Sequence, residues 1–208
     1  MDVTTAIRKR RAYRALAPVA IPRRVMRALA ESARLAPSAL NRQPWRFVFV
    51  TKRETLHQLF DALPDYNEWA KRASMIIAVC SHEKADPVAY DREIRLNAPD
   101  APRVKGHDDR RVYYLFDSGV ATGFLMLRAT ELGLVAHPIA GYLEVNVKKT
   151  LHIPDEQVVI ALLIVGKRAT GKRALAALPA SMRAAERTRP ARLAVGKIAF
   201  LDRYGAPV

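Results

Sequence analysis

Apolar and polar positions recur along this chain with two periods, and the switches between them divide it into elements. Residues 3–12 pattern as a short helix that puts Arg8, Arg10, Arg11 and Arg14 near its C-terminal end. Ile21 and Pro22 open a second helix, with Val25, Met26, Leu29, Ala30, Ala33 and Leu35 at helical spacing, and Pro37 ends it. "WRFVFVT" alternates and is rich in aromatic and β-branched residues, so 45–51 reads as a strand. A helix over 53–63 comes next, and "SMIIAVCS", 74–81, reads as a buried strand. Periodicity then fails across 82–108, which reads as an excursion or lid. From about Arg110 to Gly133, Val112, Leu115, Phe116, Val120, Phe124, Leu127 and Leu132 suit a long helix with Gly133 as its C-cap. Its small residues, Gly119, Ala121, Gly123 and Ala129, admit close approach of either another helix or a ring system. After "VAHPIAGY" come a helix near 144–151 and a buried strand, "EQVVIALLIVG", at 156–166. The tail from 167 is basic and Ala-rich, helical in places, with a candidate strand at 196–203. With no repeat or linker, residues 1–208 are expected to form a single domain with terminal extensions.

Composition narrows the classes. Half of the 208 residues are apolar, enough for a sizeable core. Cys80 is the only cysteine, so neither an intrachain disulfide nor a thiolate metal cluster is available. No apolar run is long enough for a membrane span, and no apolar stretch follows the basic start, so a reducing, cytoplasmic setting is expected. The net charge of +15 would draw nucleic acid, acidic surfaces and phosphate-bearing ligands alike. It sits at the ends: residues 1–34 hold nine Lys or Arg against Asp2 and Glu31, and residues 167–192 hold eight against Glu186.

Several chemistries are poorly supported. Gly166, Gly171 and Lys172 fit the spacing of a P-loop, but Arg173 stands where the magnesium-binding hydroxyl belongs and Pro179 comes soon after. There is no G-x-S-x-G, and His57, His82, His107, His137 and His152 show no metal-ligand spacing. Cys80, ending an apolar strand, reads as a small hydrophobe. Chemistry would therefore come from an organic cofactor.

Four stretches bear on which one. "KRRAYRAL" (9–16), "APSALNRQPW" (36–45), "HPIAGY" (137–142) and "RTRPARL" (187–193) together resemble the FMN-dependent nitroreductase family, in the family's order and spacing. "LFDSGVATGFLMLRATELGLVAHPIAG" is similar to its long central helix and the turn after it, so the resemblance covers nearly the whole chain. P-S-x-x-N-x-Q-P-W is the most specific element. FMN presents a dianionic phosphate, a polar pyrimidine edge and a flat apolar ring, and the chain offers cations, amides and small residues at separate places.

The resemblance implies an α+β fold: a three-layer α/β/α sandwich with a central, mostly antiparallel sheet, assembled as an intertwined homodimer with FMN at the interface. Arg10 and Arg11 would meet the phosphate, joined by Arg189 and Arg192 from the tail. Each of these arginines, taken alone, also reads as part of a solvated basic face. Arg14 matches the family's cation near flavin N1, and Asn67 the asparagine at the pyrimidine edge, although an Asn there also reads as a helix N-cap. Pro37, Ser38, Ala39 and Asn41 would come from the second subunit, while Gln43 and Trp45 hold their loop to the sheet. Pro138, Ile139, Ala140 and Gly141 would pass over one ring face. The tail, 187–208, would cross to the partner. Two positions depart from the family: Ala12 lacks the usual hydroxyl of the phosphate motif, and Ala140 replaces a common Glu.

The activity implied is ping-pong hydride transfer from NAD(P)H through flavin N5 to a small electron-poor acceptor such as a nitroaromatic, quinone or activated alkene. Tyr90, Arg103 and Tyr113 are candidates for acceptor selection. One rival is a flavin-dependent dehydrogenase of a specialised substrate on the same fold. Another is a basic nucleic-acid-binding protein, but the sequence interleaves no aromatic platform with its basic residues, and neither specific nucleic acid nor membrane is expected as a partner.

Overall fold

The computed structural model describes residues 1–82 and 113–208. In chain order its elements are α1 (Val3–Lys9), β1 (Leu16–Ala17), α2 (Arg23–Arg34), β2 (Trp45–Val50), α3 (Arg53–Phe60), β3 (Met75–His82), α4 (Tyr113–Glu131), β4 (Val135–Ile139), α5 (Glu144–Leu151), β5 (Gln157–Arg168), α6 (Lys172–Ala176) and α7 (Ala180–Arg187). Single 3-10 turns at Ala39–Asn41 and Val195–Lys197 and a longer 3-10 segment at Asp65–Arg72 complete the order.

The sheet runs β1-β5-β3-β2, with β4 also paired to β5, and every pairing among the described residues is antiparallel. β3 and β5 read as unbroken apolar runs because both faces of the sheet are covered. Ile76, Ala78, Cys80, Leu162 and Ile164 face Leu56, Leu59 and Phe60 of α3 and Val147 of α5. Met75, Ile77, Val79, Leu163 and Val165 face Leu29 and Ala33 of α2 and Ala121, Leu125 and Ala129 of α4. The period of two in the strands thus sorts one run of side chains into two cores, which is the expected three-layer α+β sandwich. Cys80 lies in the first core, its thiol pushed up to about 11 by burial, as its reading as a small hydrophobe requires.

α4 ends as its sequence predicts. Gly133 takes a φ of +74°, Leu134 N–H bonds the Ala129 carbonyl, and Gly133 N–H bonds that of Thr130, closing a Schellman motif. Elsewhere the structure differs from the sequence reading. α1 stops at Lys9, so Arg10, Arg11 and Arg14 lie beyond it in non-helical chain. Residues 135–139, given no element by periodicity, are a strand despite Pro138, at a position paired with Leu163. The strand expected at 196–203 is a 3-10 turn and then one isolated bridge, Phe200 to Pro207; its apolar side chains have no neighbouring strand among the described residues to pair with. The excursion, His82 apart, lies outside the described residues, as do Tyr90 and Arg103.

Candidate functional site

The N-terminal motif is built by the non-helical chain that leaves α1, and its side chains divide between two environments. Arg10 and Arg14 belong to one environment, Arg11 and Tyr13 to another. Arg10 is half-buried, and its pKa is drawn below the ordinary guanidinium value by burial and by the charges of Arg189 and Arg192. Arg189 is held there by donating to the main-chain oxygens of Arg8 and Arg10. Three guanidiniums are therefore brought together by chain ends nearly 180 residues apart, and they repel one another unless an anion lies among them. Arg192 donates to the neighbouring carbonyls of Pro190 and Ala191 at 3.4 Å.

Arg11 is engaged differently. Its Nη2 donates to the Ala185 and Thr188 carbonyls at 2.7 and 3.0 Å, closing the C-terminus of α7, where exposed carbonyls favour a cation. Its guanidinium also lies 4.7 Å from the centre of the Tyr13 ring, which Arg168 approaches at 4.0 Å. Ala12 is exposed.

Around Arg14 the structure assembles a second group. Arg14 stands 5.8 Å over the Trp69 ring, and Trp69 lies 4.6 Å from the His137 ring, centre to centre. His137 is buried, with Nδ1 3.2 Å from the Tyr13 carbonyl. Burial pushes its pKa down to about 4; the bond to Tyr13 opposes this, and the charges of Arg14 and Arg10 add to it. Asn67 is no N-cap: it is buried inside the 65–72 segment and donates Nδ2–H to the Gly141 carbonyl at 3.0 Å. A Cβ on Gly141 would fall 2.1 Å from the Tyr66 hydroxyl, so a larger residue there would displace that exposed side chain. Pro138 and Ala140 are exposed beside buried Ile139. The structure thus joins Arg10 to Arg189, Arg14 to Trp69 and His137, and Asn67 to Gly141.

The loop at 37–43 is held elsewhere. Leu40, Asn41 and Gln43 have φ values of 50°, 55° and 49°, a left-handed backbone that costs L-residues energy and persists only where it is over-determined. Ser38 Oγ accepts Gln43 N–H at 2.9 Å, and Gln43 Nε2 donates to both the carbonyl and the side-chain oxygen of Asn41 at 3.1 Å. Ala39 N–H donates to Oδ2 of Asp117, a buried carboxylate on α4. Pro37 is exposed. Among the described residues, the hydrogen bonds of Ser38, Ala39 and Asn41 stay within their loop and α4 and do not reach the Arg10–Asn67 group. The Gln43 side chain braces the loop internally through Asn41 rather than tying it to the sheet, and Trp45, the first residue of β2, packs into the core of α2 and α4. Among the described residues a Cβ on Gly119 or Gly123 of α4 would meet nothing within 4 Å, so packing inside this chain does not demand those glycines.

Tyr13, Trp69, His137 and Glu186 join the site, and Asp117 anchors the loop at 37–43, without having been named as site residues in the sequence reading. Two carried a signal: Glu186 is the one acid between residues 167 and 192, and Asp117 a charge inside an apolar helix. The others depend on contacts that no local pattern encodes.

A sequence profile of the nitroreductase family matches residues 7–167. An oxygen-insensitive NADPH nitroreductase of Helicobacter pylori is 28% identical over 67% of this chain and 74% of its own length. An NADH dehydrogenase of Thermus thermophilus is 26% identical over 80% of this chain and 86% of its own. Among solved structures, an oxidoreductase containing FMN superposes with a TM-score of 0.77 at 25% identity, covering 99% of this chain and 93% of that one.

Proposed function

The chain belongs to the nitroreductase family, and we infer that it is an NAD(P)H-dependent oxidoreductase with FMN as its cofactor. The observation that carries this is the convergence of Arg10, Arg189 and Arg192, in which the charges acting on Arg10 are other cations. Forked guanidinium donors around a common point suit the two negative charges and three oxygens of a phosphate monoester. The rest of the group fits the other parts of the molecule. Asn67 offers an amide at the level of Gly141, Arg14 a cation, and the Pro138–Gly141 segment a narrow, largely apolar approach. Arg11, held to α7, supports the phosphate site from behind on this reading, and Ala12 contributes no hydroxyl.

Bound FMN supplies two-electron transfer between a nicotinamide donor and an organic acceptor. We propose a ping-pong order in which donor and acceptor take turns in one open site, the acceptor being electron-poor: a nitroaromatic, a quinone or an activated alkene. Arg14 holds positive charge beside the pyrimidine edge and stabilises negative charge there. His137, with its low pKa, is neutral at physiological pH and offers no ready proton; water supplies it. A dehydrogenase of a specialised substrate would use the same residues, and reduction of the flavin by NADPH or NADH separates the two.

The site is proposed to be completed in a homodimer. Phe116, Phe124 and Leu115 of α4, with Leu35 and Ile7, leave a broad apolar surface, and Leu193, Val195, Ile198, Leu201 and Tyr204 do the same along the tail. A partner covering the first and receiving the second would bring Pro37, Ser38, Ala39 and Asn41 to the neighbouring cofactor. The tail from 187 would cross, within one domain of 1–208. Fluorescence titration with FMN tests the phosphate site: Arg10→Ala and Arg189→Ala should each weaken binding by roughly 1.5–3 kcal/mol, about ten- to a hundredfold. Unaltered affinity in both variants would remove the phosphate assignment.

A further inference from the structure

We propose that Glu186 is a positioning residue of the cofactor site, acting through Arg14; this rests on the assignment of FMN to that site. Glu186 lies on α7, beyond residue 167 where the family profile ends. It is 2% exposed, and its Oε1 accepts the main-chain N–H of Arg14 at 2.5 Å. That N–H lies ahead of the β1 pairing, which begins at Leu16, so a side-chain acceptor does the work of a strand partner.

The helix end that carries Glu186 is fastened to the motif on both sides of it. Arg11 donates to the carbonyls of Ala185 and Thr188. Arg168 reaches the Glu186 carbonyl at 3.5 Å. Residues 11–14 are therefore held by the C-terminal end of α7, a segment whose own place the same contacts fix.

A buried carboxylate is costly unless donors and cations surround it. Glu186 Oε2 is buried and has no hydrogen-bond partner among the described residues, so the carboxylate has no network of its own to serve. Its hydrogen bond goes to the residue that carries the cation of the ring site. A neutral acceptor would cap that N–H at a lower desolvation cost. With that N–H fixed, the peptide plane that leads into Arg14 is fixed, which narrows the directions its side chain can take and favours the guanidinium over Trp69. Loss of the carboxylate frees Arg14 while leaving Arg10, Arg189 and Arg192 in place.

The consequence is a signature that a general brace would not produce. Full-length apoprotein is titrated with FMN and with riboflavin, which lacks the phosphate, in wild type, Glu186→Ala, Glu186→Met and Glu186→Gln. In the Ala and Met variants, which offer no acceptor to the Arg14 N–H, both flavins should weaken by the same factor, tenfold or more, so that the preference for FMN over riboflavin is preserved, whereas Glu186→Gln, whose amide oxygen still accepts that N–H, should largely restore both affinities and melt close to wild type. If the Ala variant does not fold, the Met variant, which fills the same space, decides. Weakening of FMN alone would mean that Glu186 acts on the phosphate arginines, and unchanged affinity for both would mean that it positions nothing; either overturns the proposal. A wild type that takes neither flavin overturns the cofactor reading along with it, and is told apart because the defect precedes any substitution.

Discussion

At His137 the chain holds an imidazole against an indole and between the charges of two arginines, where it can be kept only in its neutral form. The consequence for stability has a definite sign. The folded pKa is about 4 against an ordinary 6.5, so the unfolded chain binds the proton first, and stability present above pH 6.5 is lost as pH falls toward 4. Tyr13, Trp69, Arg10 and Arg14 face the ring, and neither arginine changes charge in this range. Urea unfolding of the apoprotein should show about 2 kcal/mol lost from this group between about pH 7.5 and pH 5. His137→Gln should remove that increment; a variant with the wild-type slope would show that the proton goes elsewhere. At this scale the sequence is legible where a motif names a residue, as with Arg10, Arg14 and Asn67. It is not legible for Arg11, whose partner at Ala185 lies 174 residues away and belongs to a helix outside the matched stretch. The basic pair looks uniform in sequence, yet Arg10 stands beside Arg189 and Arg192 while Arg11 closes the end of α7.

Elements carry these residues to their places, and the loop before β2 shows how. Its left-handed residues need an anchor, and Asp117 supplies one from α4 by accepting Ala39 N–H at 3.1 Å. Burial raises the carboxyl pKa of Asp117, and the Ala39 bond opposes that shift. Asp117→Ala should therefore loosen the loop, at a cost of about 1–3 kcal/mol in stability. Asp117→Asn, which keeps an oxygen at that position, should cost much less. Equal losses in both would assign the effect to charge rather than to the loop anchor, and chemical denaturation measures it. The larger elements are read from periodicity alone, because two covered faces make β3 and β5 apolar throughout and one covered face makes α2 and α4 striped. β4 escapes that reading: five residues with a proline at the fourth give too short a pattern, and only pairing with β5 makes them a strand. The tail is misread for the converse reason, since an apolar run at 196–203 has strand composition without a neighbouring strand among the described residues.

Over the whole molecule, the net charge of +15 finds a partial explanation in its placement. The two basic ends meet around Arg10, Arg189 and Arg192, where a phosphate would be bound, and the remaining positive surface supplies long-range attraction for anionic dinucleotides. No helix of the described residues is long and apolar enough to cross a membrane. Apolar residues of α4 and of the tail are exposed in the single chain, and the homodimer proposed above would cover them; the sequence points to that assembly only through its resemblance to the family, not through any pattern within one chain. An FMN oxidoreductase reduced by a nicotinamide declares itself in the absorption spectrum of the purified protein, recorded before and after anaerobic NADPH and NADH. A flavin spectrum is expected, with FMN on release of the chromophore and bleaching by at least one of the two donors. A colourless protein that cannot be reconstituted with FMN, or a bound flavin that neither donor bleaches, would overturn the assignment.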